Sequence, residues 1–160
     1  MNTATVNAPA TENLFESHVY FKTRQGLWVA DSFNNRILSK VGQTPHRGNE
    51  GVTSSILVRN MSDQEIIDEL LGGMEEARKH SFTLDQIATM LDLQSNGEDG
   101  DLLNNGYANI FYILVNEVLY ALYVDWKSDN LNWRVSLWHL GENSRWRACG
   151  RVFHNTTLTI

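Results

Sequence analysis

From residue 107 onward the chain alternates between apolar and polar positions with a period of two, whereas two stretches upstream keep a helical spacing. Alternation marks strands with one face buried, because successive side chains leave a pleated backbone on opposite sides. Two-residue turns at Asn116-Glu117 and Glu142-Asn143, with the loop KSDNLN (127–132) between them, predict four antiparallel strands and their pairing. Trp126 is expected opposite Trp133, Val124 opposite Val135, Leu122 opposite Leu137, and Leu137 also opposite Ala148. One face then collects Phe111, Ile113, Val115, Val118, Tyr120, Leu122, Val124, Trp126, Trp133, Val135, Leu137, Trp146, Ala148 and Val152. No charge falls on it, so it is the expected core face. The other collects Tyr112, Leu114, Tyr123, Asp125, Arg134, Ser136, Trp138, Arg145, Arg147, Cys149 and Arg151. There Asp125 is placed beside Arg134, Arg134 beside Arg151, and Trp138 beside Arg147.

The helical stretches begin at capping boxes, Ser62-Asp63-Gln64-Glu65 and Thr83-Leu84-Asp85-Gln86. The first carries Ile66, Ile67, Leu70, Leu71 and Met74 at helical spacing. It runs through Gly72-Gly73, which costs about 1 kcal/mol per glycine, and a close approach by another element is the expected reason. The second turns Ile87, Ala88 and Leu91 inward and ends near Gln94. Towards the N-terminus, HVYFKTRQGLWVADSF reads as a strand, a turn at Gln25-Gly26 and a second strand through Leu27, Trp28 and Val29. A short helix, FNNRILSKV, capped by Asp31 or Ser32, stops at Gly42. GQTPHRGNEG is the expected long loop, and VTSSILVRN a β-branched strand. The predicted class is α+β: a C-terminal four-stranded antiparallel meander packed on two central helices, with N-terminal strands extending the sheet. Residues 1–16 are expected to be a flexible arm and residues 17–160 one domain.

Composition narrows the chemistry. A chain of 160 residues can bury a full core without metal or disulfide, and its single cysteine, Cys149, excludes an internal disulfide and points to a reducing cytoplasm. No apolar run reaches the roughly 20 residues of a membrane helix, and the first residues do not read as a secretion signal. The net charge of −6 is uneven: +2 over residues 1–60, −9 over 61–106 and +1 over 107–160. An acidic centre opposes wrapping by nucleic acid, which needs a cationic track.

Three motifs bear on the chemistry. Asp92, Gln94, Asn96 and Gly97 follow the start of a calcium loop, but its bidentate glutamate position holds Leu103. FTLDQIATMLDL could open a helix-turn-helix, but QSNGEDGDLL, acidic and glycine-rich, lacks the cations of a recognition helix. Cys149 is predicted opposite Ser136 and away from His139 and His154, so no thiol nucleophile has its base. The histidines lack metal spacing. The chain is therefore read as a non-enzyme with no cofactor and no metal.

NGYANIFYILV (105–115), W-x-V-x-L-W (133–138) and WRACGRVFHN (146–155) together resemble a pattern, NGYANIFY…W…RVF, of small uncharacterised proteins of bacterial and phage genomes. His154 departs from that pattern, which reads RVFSRN. The resemblance covers the last third of the chain and implies a small intracellular or phage-borne accessory protein, with no activity or site residue to carry over.

The expected function is a non-catalytic interaction module binding a protein partner through Tyr112, Tyr123, Arg134, Trp138, Arg145, Arg147 and Arg151, or through the acidic helical segment acting as a nucleic-acid mimic. Trp, Tyr and Arg dominate binding hot spots. A covered face, forming a second core, is the plain alternative. Single-stranded nucleic acid on the same face, and a metal-dependent hydrolase built on the central Asp and Glu, are the competing functions.

Overall fold

The computed structural model describes residues 14–138 and 144–159. Most of the predicted arm, together with His139 and the turn at Glu142-Asn143, lies outside the described residues. Three strands, β5 (Asn109–Val115), β6 (Val118–Lys127) and β7 (Asn132–Trp138), form the expected antiparallel set. The predicted pairs Trp126↔Trp133, Val124↔Val135 and Leu122↔Leu137 are all present. The β5–β6 turn places Asn116 and Glu117 at φ 48° and 67°, the positive values a tight hairpin needs.

The fourth strand is not where alternation put it. β8 (Arg151–Asn155) lies on the far side of β5, parallel to it, and not beside β7. Period-two patterning assigns faces within a strand but does not say which neighbour the strand takes. The segment before β8 pairs with another element: Trp146 and Met61 exchange backbone hydrogen bonds. Cys149, at φ 80°, then donates its N–H to Leu57, not facing Ser136, and it is exposed.

N-terminal strands extend the sheet at both ends. β2 (Leu27–Val29) runs parallel to β7, and β4 (Val52–Ile56) antiparallel to β8, giving the order β2-β7-β6-β5-β8-β4. At the β2 border the outward backbone groups are occupied: Leu27 and Arg24 bond each other at 3.0 and 2.9 Å, and the Val29 N–H donates to Thr23 Oγ1 at 3.0 Å. At the β4 border Gly51 and Leu57 bond residues flanking β8, so by alternation Val52, Ser54 and Ile56 direct theirs outward, where the Val52 N–H donates to the Asn49 carbonyl at 3.3 Å. No described strand lies beyond β4.

Elsewhere the N-terminal third departs from expectation. Ser17–Tyr20 is a helical turn, α1, where a strand was predicted, and β1 (Leu14–Glu16) pairs with β3 (Gln43–Pro45) inside the predicted loop. The short helix starts as α2 (Asp31–Phe33) and widens into a π turn over Asn34–Leu38, without a side-chain cap.

Helices cover both faces of the sheet. α5 (Leu84–Leu93) packs Leu84, Ile87, Ala88 and Leu91 on Phe111, Ile113, Leu122, Val124, Trp133 and Val135. α3 (Asp63–Glu69) and α4 (Met74–Lys79) pack Ile66, Ile67 and Ala77 on Ile110, Tyr112, Ala121 and Val152. Both capping boxes form, with Ser62 and Thr83 at the caps. The helix predicted from Ser62 onward breaks before Met74, because Gly72 and Gly73 stand at φ 83° and 102°. Their backbone, not a close neighbour, requires glycine: a Cβ on Gly73 would meet nothing within 4 Å. No described helix is long and apolar enough to cross a membrane.

Candidate functional site

The face expected to carry binding is covered over much of its area. Tyr112 is only 2 % exposed. Its hydroxyl donates to Asp63 Oδ1 at 2.5 Å, and Trp146 Nε1 donates to the same oxygen at 2.8 Å. Asp63 is itself buried at the first turn of α3. Burial raises its pKa against the opposing pull of the two hydrogen bonds, and burial followed by the Asp63 charge raises that of Tyr112. Trp146, predicted on the opposite face, stacks here on Trp138 at 4.5 Å between ring centroids and meets Tyr123 edge-on at 5.5 Å. Val152 belongs to the same core. The strand's phase is therefore the reverse of the predicted one.

The arginines separate. Arg134 holds the buried carboxylate of Asp125 through two bonds of 3.0 and 2.7 Å, as expected. Arg145 bonds Glu65 Oε1 at 2.6 Å, and Arg147 lies over the Tyr107 ring at 5.7 Å, not beside Trp138. Arg151 is not beside Arg134. It shares its side of β8 with Phe153, pairs across to Ile56 and Asn109, and donates to the Asp101 carbonyl. The structure thus brings together Tyr123, Arg134 and Trp138, buries Tyr112, and disperses the remainder.

An open strip survives at the β2 end of this face. Trp28 is the register neighbour of Arg134 and is 41 % exposed. With Lys127, Asn130, Asn132 and Arg134 it lines a concavity of about 230 Å³. Sequence reasoning missed Trp28, although Leu27-Trp28-Val29 alternates and only its central residue could face away from the core.

The acidic segment does not form one surface. α3 and α4 lie on one face of the sheet and α5 on the other, with Asp63 and Asp85 buried. Glu65 and Glu69 are paired with Arg59, and Glu75 with Lys79. Among the described residues, no group of three or more His, Cys, Asp or Glu stands close enough to hold a metal. The 94–104 stretch is closed on itself: Gln94, buried, accepts from the Leu102 N–H at 2.8 Å and donates to the Leu102 and Glu98 carbonyls.

No family model matches the chain, and no curated protein or solved structure is similar to it.

A larger cavity, of about 350 Å³, lies on the α4 side of the sheet between β5 and β8. The two strands pair only at Asn109↔Arg151 and Ile110↔Val152. Beyond Ile110, Ser81-Phe82 stands between them: the Phe82 N–H donates to the Tyr112 carbonyl at 2.8 Å, and Asn155 Nδ2 donates to the Ser81 carbonyl at 3.0 Å. Two histidines far apart in sequence, His80 and His154, meet at the fork, where no spacing rule would have found them.

Proposed function

We propose that this chain is a non-catalytic interaction module that docks a partner protein on the strip formed by Trp28, Lys127 and Arg134. The observation that carries this reading is the exposed Trp28 indole beside a guanidinium already fixed in place by Asp125. An aromatic anchor next to a pre-positioned arginine loses little side-chain freedom on binding, which is the economy of a hot spot. A partner segment offering an apolar side chain followed by a carboxylate or carbonyl would suit both groups. A cytoplasmic, bacterial or phage setting as an accessory protein accords with the single cysteine and with the family resemblance.

Single-stranded nucleic acid is the weaker reading of the same strip. One of its two cations is already neutralised by Asp125, and binding to phosphates draws on several free charges. Asp99 and Asp101 share a shallow concavity, but among the described residues no three ligand side chains stand close enough to hold a metal for a hydrolase, and the acidic helices lie on opposite faces of the sheet.

Affinity capture of the partner, followed by titration against Trp28→Ala and Arg134→Lys, tests the proposal. Trp28→Ala is expected to weaken binding by roughly 30-fold or more, the effect of a hot-spot loss of about 2 kcal/mol. A partner that binds both variants as tightly as the parent chain refutes the strip as the docking surface. Saturable, salt-sensitive binding of a labelled oligonucleotide would transfer the site to nucleic acid.

A further inference from the structure

We propose that the β4 border is a homodimer interface, in which two copies pair Val52–Ile56 with each other, antiparallel, about a two-fold axis at Ser54. The Trp28 strip lies at the opposite border of the sheet, so neither reading depends on the other.

The edge has the groups that pairing needs. β4 ends the six-stranded sheet, and Ser54 and Ile56 aim their N–H and carbonyl groups away from β8. Among the described residues, none bonds those groups. Of the two Val52 backbone groups only the N–H is taken, by the Asn49 carbonyl at 3.3 Å. Proteins commonly guard such an edge with charged side chains, and VTSSI carries none. Thr53 and Ser54 are exposed, and Ile56 is 45 % exposed.

The order of side chains is what singles out a second copy. By chemical type VTSSI reads the same in both directions: a β-branched apolar residue, a hydroxyl, a serine, a hydroxyl, and a β-branched apolar residue. In an antiparallel pair centred on Ser54, Val52 of each copy meets Ile56 of the other on the face that α5 covers, where Val52 already packs on the core. On the opposite face each Thr53 meets a Ser55, a pairing that hydrogen-bonds across strands. At the axis the two Ser54 residues exchange N–H to carbonyl bonds, and each Ile56 N–H reaches a free Val52 carbonyl. Two-fold symmetry repeats every contact. A slip of one residue would set outward-directed groups against inward-directed ones and apolar side chains against hydroxyls. The strand contact spans five residues of each copy. That is small for a permanent dimer, so the expected dissociation constant is on the order of 10–100 µM.

Sedimentation equilibrium of the whole chain, with amide hydrogen exchange read by NMR, tests this. The parent chain is expected to be mostly dimeric at about 1 mM and monomeric at about 1 µM. Ser54→Lys and Ser54→Glu each put like charges face to face at the axis and should each weaken the dimer about tenfold or more, whereas their equimolar mixture should restore it. Between the dilute and the concentrated sample, exchange of the Ser54 and Ile56 amides should slow about threefold or more, while the Val29 amide at the opposite border keeps its rate. A parent chain still monomeric at about 1 mM would leave the edge to an extended segment of another protein and overturns the proposal. A dimer indifferent to both Ser54 variants overturns it too. So does a monomer whose Ser54 and Ile56 amides are already protected, because the chain would then cover its own edge. Should either variant fail to fold, the exchange comparison on the parent chain decides alone.

Discussion

Gly97→Ala should be among the most damaging single-methyl changes in this chain, and its cost can be worked from the structure. Gly97 stands at φ 73°, a conformation that an L-residue adopts at a cost of about 1 kcal/mol. A Cβ added there would lie 2.5 Å from Cζ2 and 2.7 Å from Cδ2 of Trp126, and closer still to Cε2. The indole cannot retreat freely, because Trp133 meets it edge-on at 5.2 Å between centroids and both rings are buried. Nor can the loop lift cheaply: the Gly97 N–H donates to the Gln94 carbonyl, its own carbonyl accepts from Asn104, and Trp133 Nε1 bonds the Gln94 carbonyl at 2.6 Å. Forcing a methyl into a packed core costs about 1–3 kcal/mol, so the expected total is about 2–4 kcal/mol. Gly106→Ala separates the two causes. Gly106 also has a positive φ, 92°, but a Cβ there meets nothing within 4 Å, so only the backbone cost of about 1 kcal/mol applies. Urea denaturation followed by tryptophan fluorescence measures both variants. Equal losses, within about 0.5 kcal/mol, would show that the loop does not press on Trp126 and would refute the reasoning.

Asp63→Ala removes the acceptor shared by Tyr112 and Trp146 and should cost about 2–4 kcal/mol in the same assay, since each stranded buried donor costs about 1–3 kcal/mol; a loss below about 1 kcal/mol would count against the shared bond. Asp63→Asn reads the pH dependence. A carboxyl whose folded pKa is raised above its unfolded value of 3.8 stabilises the fold most below that value, and this contribution is lost as pH rises through the folded value. The stability of the parent chain relative to Asp63→Asn should therefore fall as pH rises above about 4, and a flat difference contradicts the shift. Arg134→Ala leaves the buried Asp125 carboxylate unpaired and should cost about 1–3 kcal/mol, less than a fully buried pair because the arginine side chain is 31 % exposed. The double change Asp125→Leu with Arg134→Met should recover most of that loss in thermal melts, and no recovery would show that the pair is not what Arg134→Ala breaks.

The legible part of this fold is the part governed by local rules. Alternation correctly put Trp133 and Val135 inside and Arg134 with Trp138 on the other face, and both capping boxes mark helix starts. Side-chain amides near residue 100 satisfy backbone groups, with Asn109 bonding both the N–H and the carbonyl of Leu103. What local rules do not reach is the choice among distant partners. The strand at 151–155 goes to β5, not β7, and its phase is set by the Met61–Trp146 pairing and the turn at Cys149. The candidate face carried a warning: Tyr112, Tyr123 and Trp138 are too much aromatic surface to expect bare, and α3 with Trp146 covers most of it. The setting of Trp28 depends on a strand neighbour 106 positions away, and His80 and His154 line one cavity from positions 74 apart, beyond any spacing motif.

The two borders of the sheet have unequal consequences for growth. Arg24 and Thr23 stopper one margin, while along Val52–Ile56, which carries no lysine or proline, Asn49 occupies the Val52 N–H and no described strand covers Ser54 or Ile56. Two copies joined head-on along that margin would spend both receptive edges and end in a stopper on either side. Addition along this margin would therefore end at a pair and could not propagate into a fibre.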